Sequence, residues 1–311
     1  MLDVRRLVLL RDLVAHGTVT AVAELHGVTP SAVSQQLRLL EEETGTALLE
    51  RSGRSVHPTA AGRRLAEDTE QVLAALDRAR SGLRAGAGEP TGPLHLACFP
   101  SALVPLAAPL GEALEAAHRD LRLHITEAEP EAAVRLLLQR RVDVALVYRY
   151  TNLAAPRPAG IETRTLRADP LVAVLRHDHP AAGPTGPADP TDSADPAGAP
   201  VDLRELADTG WITAPPGTAC GDAVLQACRS AGFTPRVRHT CTDFSAMVAL
   251  AAGGGHTALV PRLAARHLPP GLTARPVADR TLSRTIETAV RHGTADQPAV
   301  AACLATAARL P

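Results

Sequence analysis

The run from Thr29 to Gly45 constrains the fold more than any other stretch of the chain. Thr29 is a hydroxyl residue placed to cap a helix, its oxygen accepting from a first-turn amide that the helix itself leaves without a partner. Pro30 then falls at the first helical position, where a missing N–H costs nothing. Val28 and Val33 stand where a hydrophobic staple would join the residue before the cap to the fourth helical one. Gly45 offers a left-handed stop. Together these signals predict a helix over 30–44. Val33, Leu37 and Leu40 recur at helical spacing and need a core, whereas Ser31, Ser34, Gln35 and Arg38 make a single polar stripe.

Upstream, residues 20–26 read as a short helix, and Gly27 makes the turn into the next one. A helix, a glycine turn and a capped second helix with a polar outer stripe is the plan of a helix-turn-helix. In that motif the second helix enters the major groove, where hydroxyl, amide and guanidinium groups bond base edges. The segment from Arg51 to Thr59 reads as a short basic hairpin around Gly53, suited to set Arg51, Arg54 and His57 against phosphates. The candidate DNA contacts are therefore Thr29, Ser31, Ser34, Gln35, Arg38, Arg51, Arg54 and His57.

Charge neither advertises nor forbids that partner. The net charge of the 311 residues is -1, and residues 1–84 carry eleven arginines against eleven acids, so affinity has to come from where the charges lie. All six aromatic residues lie beyond residue 98, which leaves the motif no stacking platform for single strands. Duplex DNA is the expected partner.

From Ala60 the chain reads as one helix to about Arg84. Leu65, Thr69, Val72, Leu76, Ala79 and Leu83 repeat at alternating spacings of four and three, a heptad seam. The seam could pack on the chain's own core or on a second copy. The second reading makes Leu65, Val72, Leu76 and Leu83 dimerisation candidates, because two recognition helices must be joined to read a two-fold site.

Beyond the glycine- and proline-rich stretch 86–93 the pattern changes. Apolar runs at 94–99, 121–127, 142–148, 171–176 and 257–260 alternate with helix-length segments, which predicts a parallel α/β architecture. A stretch with six prolines, 180–200, reads as a surface insertion.

Composition removes several kinds of chemistry. All 32 basic residues are arginine, so no Schiff-base, P-loop or kinase lysine exists. The five cysteines, an odd number without a C-x-x-C pair, suit a reducing cytosol. Charged residues interrupt the first twenty positions, and prolines break the longest uncharged stretch, 94–111. A cytoplasmic protein with no membrane partner is expected. His177-Asp178-His179 resembles a metal tripeptide, but no metal or other cofactor is expected there.

The run Ala21-Val22-Ala23-Glu24-Leu25-His26-Gly27-Val28-Thr29-Pro30-Ser31-Ala32-Val33-Ser34-Gln35-Gln36-Leu37-Arg38-Leu39-Leu40-Glu41 resembles the signature of LysR-type transcriptional regulators. Thr44-Gly45, Leu49-Glu50-Arg51 and Pro58 to Gly62 resemble the wing and linker entry of that family. Two positions depart from the pattern. Pro30-Ser31 stands where many members have Gln-Pro, which removes one base-reading amide, and Leu49 replaces the usual wing phenylalanine.

The resemblance implies an α/β chain with a winged helix-turn-helix over 1–59 and a linker helix over 60–88. A two-lobed effector domain like a periplasmic binding protein would follow over 93–311. Lobe I would comprise 93–162 and 269–311, and lobe II 163–268, the chain crossing near 160–164 and returning near 268–272. The implied function is sequence-specific control of transcription, not enzymatic catalysis. A dimer or tetramer would read an inverted repeat, respond to a small-molecule effector in the interlobe cleft, and meet RNA polymerase if it activates. Strand ends nominate Ser101, Tyr148, Arg149, Tyr150, Trp211, Thr213, Cys220 and Asp243 for that cleft. Cys220 and Cys228 invite comparison with peroxide-sensing members, although spacing alone favours two inert thiols.

Overall fold

Asp3 caps α1 (Val4–His16), its carboxylate accepting from the Arg5 amide. Thr18 does the same for α2 (Val19–His26), and Gly27, at φ 65°, turns the chain toward α3 (Pro30–Thr44). The positive φ is why the turn needs glycine. The computed structural model describes residues 2–52, 55–84, 89–154, 158, 160–183, 199–279 and 281–310. The bounds of α3 match the expected 30–44, and Thr29 Oγ1 accepts from the Ala32 amide at 3.3 Å. Val28 stays 47% exposed while Val33 is buried, so the expected staple does not close. Leu10, Leu13, Val22, Leu37 and Leu40 form the core of the three helices.

A hairpin of β1 (Leu49–Ser52) and β2 (Ser55–Pro58) follows, paired antiparallel with Ser52 opposite Ser55. Next comes α4 (Ala60–Arg84), the predicted long helix. Its first turns belong to the chain's own core: Ala66 is buried, Leu65 packs on the three-helix cluster and Thr69 is 1% exposed. This corrects part of the heptad reading. Leu65 is held by its own domain, and the exposed seam begins at Val72.

The remaining chain builds two sheets from the elements β3 (Gly92–Cys98), α5 (Pro100–Ala102), α6 (Ala108–Ala117), β4 (Leu121–Glu127), α7 (Pro130–Leu138), β5 (Val144–Tyr150), β6 (Ile161–Arg176), β7 (Gly210–Thr213), α8 (Ala219–Ser230), β8 (Arg236–Thr240), α9 (Phe244–Gly254), β9 (Thr257–Pro261), β10 (Leu272–Pro276), β11 (Ser283–Arg291) and α10 (Pro298–Ala307). The first sheet runs β4-β3-β5-β11-β6, and the second continues from β6 through β9 and β7 to β8, with β10 on the other side of β6. β3, β4 and β5 are parallel, as are β7, β8 and β9. β6, β10 and β11 pair antiparallel with their neighbours, so the expected parallel pattern is confined to β3, β4 and β5 in the first sheet and to β7, β8 and β9 in the second. No described helix is long and apolar enough to cross a membrane.

β6 belongs to both lobes. Residues 161–170 pair with β11 and residues 171–176 pair with β9 and β10. The crossover expected at 160–164 therefore falls near Asp169-Pro170, in mid-strand. The return expected near 268–272 also moves, because β10 still pairs with the second half of β6 and only β11 rejoins the first sheet. Separate apolar clusters pack the two sheets, one around Leu96, Leu106 and Ile286, the other around Trp211, Val224 and Leu259.

Candidate nucleic-acid interface and effector cleft

The polar stripe of α3 emerges as predicted. Ser31, Gln35 and Arg38 are exposed and Ser34 is half-buried, while Val33, Leu37 and Leu40 face inward. Gln35 and Arg38 make no side-chain hydrogen bond or ion pair among the described residues, so their donors are available to a ligand. Gln36, one position round, is engaged: Arg6 Nε donates to its Oε1 at 3.0 Å. Thr29 is committed to capping, and its hydroxyl also meets Ser31 Oγ at 3.0 Å.

The hairpin is tied to α3 by one carboxylate. Glu41 Oε1 accepts the amides of Leu48 and Leu49 at 2.9 and 3.0 Å. Thr59 Oγ1 donates to the Ala47 carbonyl and accepts from the Gly62 amide, which joins the far end of the hairpin to α4. Gly62 is required by contact, because a Cβ there would lie 2.2 Å from the Leu48 carbonyl oxygen. His57 is exposed on β2. Arg54 and the side chains of Arg51 and Leu83 lie outside the described residues.

Behind the motif, Asp12 is buried and bonded on both oxygens, one to Arg11 Nε at 2.7 Å and the other to His26 Nε2 at 2.6 Å. That network fixes the end of α2 against α1, and so fixes the turn that aims α3.

A cavity of about 830 Å³ opens between the lobes. Of the eight nominated cleft residues, Ser101, Tyr148 and Asp243 line it. The others lie elsewhere. Trp211 is fully buried, with Nε1 donating to the Leu206 carbonyl, and Thr213 is buried on the same strand. Tyr150 and Cys220 are buried in the second-lobe core. Arg149 pairs with buried Glu287 at 2.8 and 3.1 Å and lines a different cavity, shared with His16 and Glu24 of the helix-turn-helix.

Sequence reasoning missed the centre of the cleft. Arg284, wholly buried on β11, donates from Nε to Asp169 Oδ2 at 2.8 Å and from Nη2 to Ser101 Oγ at 2.9 Å. Its guanidinium carbon sits 4.8 Å from the Phe99 ring centre and 4.9 Å from that of Tyr148, within cation–π range. Tyr148 in turn donates to Glu129 Oε2 at 2.9 Å, and its phenol is pushed well above the ordinary range by burial first and by that carboxylate second.

Residues 87–310 match the family model "LysR substrate binding domain", and residues 4–63 match "Bacterial regulatory helix-turn-helix protein, lysR family". The chain is 29% identical over 296 residues to the HTH-type transcriptional regulator ShiR of Corynebacterium glutamicum, covering 90% of each protein. It is 30% identical over 242 residues to a probable hydrogen peroxide-inducible genes activator of Mycobacterium avium, covering 76% of this chain and 71% of that one. Its fold is similar to the crystal structure of CbnR, with a TM-score of 0.56 at 22% identity over 98% of this chain and 100% of the other. Full-length BenM gives a TM-score of 0.57 at 21% identity, covering 98% and 95%. The chain belongs to the LysR family: it is a sequence-specific DNA-binding regulator of transcription that oligomerises and carries an effector-binding domain.

Proposed function

We propose that α3 reads base edges through Ser34, Gln35 and Arg38, with Ser31 at its entry, while Arg51, Arg54 and His57 of the hairpin hold phosphates. The observation that carries this reading is the exposed pair Gln35 and Arg38, without side-chain partners among the described residues, on a helix whose opposite face is buried in the core. Phosphate contacts set register, and base contacts set sequence preference. α4 joins two copies along Val72, Leu76 and Ala79, all exposed in the single chain. The interlobe cavity receives the effector, with Ser101, Tyr148 and Asp243 in its wall and Arg284 in its floor. Residues up to 59 form the DNA-binding unit, 60–84 the linker helix, and the two lobes meet at Asp169-Pro170.

Peroxide sensing through Cys220 and Cys228 is disfavoured. Both thiols are buried, and burial raises both pKa values, that of Cys228 to about 12, which disfavours the thiolate that would have to attack peroxide. Binding of the full chain to duplexes from the upstream region of its own gene, against shuffled duplexes of the same composition, tests the DNA reading. Preference for the upstream duplex that survives rising salt is expected, and equal binding to both would overturn it.

A further inference from the structure

The wall of the interlobe cavity is chemically lopsided. At its floor, Ser101 Oγ accepts from Arg284 Nη2, which leaves the hydroxyl proton to point at an acceptor on the open side. Arg284, which lines the cavity, has a second donor in Nη1, buried and without a hydrogen-bond partner among the described residues. Asp169 balances the charge of Arg284 but does not take this donor. Such a floor favours an acceptor group, above all an anionic one.

The rim is of the opposite sign. Glu127, Glu129 and Asp243 line it, against Arg266 and His267. Glu127 has no hydrogen-bond or ion-pair partner among the described residues. Glu129 keeps one oxygen beyond the bond from Tyr148, and Asp243 uses Oδ1 to cap α9. Glu127 closes β4 and Glu129 precedes α7, both on the first-lobe side of the cavity that also holds Ser101. The lining also carries the apolar side chains of Val104, Pro105 and Phe244.

Resting on the reading of this cavity as the effector site, we infer that the effector is a small zwitterion of the amino-acid type. Its carboxylate meets Ser101 and the Nη1 edge of Arg284, and its ammonium group lies against Glu127 and Glu129. A dicarboxylate would set its second acid against two like charges. An amine without an acid would leave the floor donors unanswered, and an uncharged molecule would answer neither end.

Thermal unfolding of the full chain, with and without pools of L-amino acids at millimolar concentration, is the first measurement. A pool that raises the midpoint is resolved to its active member, whose affinity is then compared with that of its carboxamide and its N-acetyl form. Each blocked form is expected to bind about tenfold or more weakly. Ser101→Ala should weaken the free amino acid but not the carboxamide, and Glu127→Gln should weaken the free amino acid but not the N-acetyl form. Melting of each unliganded variant reports whether it folds. Should the blocked forms bind as well as the free one, or should no pool shift the midpoint while diacids or simple amines do, the zwitterion is wrong and the cavity stands. An amino acid that binds with full affinity to both variants sits elsewhere, which overturns the cavity reading itself. No shift from any pool or comparison compound overturns the zwitterion.

Discussion

Asp169 and Arg284 form a buried ion pair at the point where the two lobes meet, with Asp169 Oδ2 2.8 Å from Arg284 Nε. The other carboxylate oxygen, Oδ1, accepts the amide of Leu263 at 3.0 Å, just after β9 of the second lobe. One side chain thus bonds both lobes, from the position in β6 where the pairing partner changes. Ser101, the floor of the cavity, is the third member of the same network.

The first prediction follows from that burial. Asp169→Ala leaves a guanidinium with no exposed surface and no counter-charge, a class of change that costs about 3–5 kcal/mol. Chemical denaturation of the full chain should show the loss in the effector-domain transition and leave the helix-turn-helix transition unmoved. A loss below about 1 kcal/mol would mean that water reaches Arg284 and that the pair does not lock the hinge.

Gly62→Ala tests the joint between hairpin and linker helix. The added methyl would sit 2.2 Å from the Leu48 carbonyl oxygen, a backbone atom that cannot swing aside. The helix and the hairpin must separate, at a cost of about 1–3 kcal/mol by analogy with overpacked cores. Under the proposal that the hairpin holds phosphates, DNA affinity should fall for all duplexes together. Unchanged melting and unchanged binding would show that the joint is loose in solution.

Gln35→Ala separates base reading from general affinity. Gln35 is exposed on the outer stripe and has no side-chain partner among the described residues, so its loss should relax preference at one position per half-site by about 1–3 kcal/mol. Titrations against single-base operator variants measure this directly. A preference profile identical to that of the parent would place the stripe outside the groove.

The DNA-binding half was legible in the sequence because its signals are local. A cap, a proline, a glycine stop and a 3.6-residue period all act within one or two turns, and they returned α3 to the residue. The cleft was legible only in outline. Ser101 and Asp243 sit at element boundaries, where local signals again apply, and Tyr148 lies near the end of β5. Arg284 and Asp169 lie inside strands, far apart in sequence, and only the register of β11 against β6 places them opposite each other. Strand alternation could have warned that Arg149 points away from its neighbours Tyr148 and Tyr150. Trp211 and Thr213 were drawn in by residue type, but the packing of α8 and α9 over β7 makes them core.

The last prediction concerns the linker helix. Described side chains along α4 differ in burial. Ala66, Thr69 and Leu73 are buried in the single chain, whereas Val72 and Leu76 remain 41% and 45% exposed. Two large apolar side chains one helical turn apart, on a helix that begins at the DNA-binding unit, need a partner of the same kind. A glutamate at position 76 would put two like charges in that interface when two copies pair, at a cost of several kcal/mol unless the helices part. Because Leu76 is exposed in the single chain, Leu76→Glu should leave the melting of both domains close to the parent. Sedimentation should shift toward monomer, and operator affinity should fall steeply, since a lone recognition helix loses the effective concentration that its linked partner provides. Leu73→Glu gives the contrast: it strikes the buried face, so it should lower the melting temperature of the single chain first. A Leu76→Glu protein that sediments and binds like the parent would assign the exposed stripe no part in assembly, and the contact between copies would then lie in the effector domain.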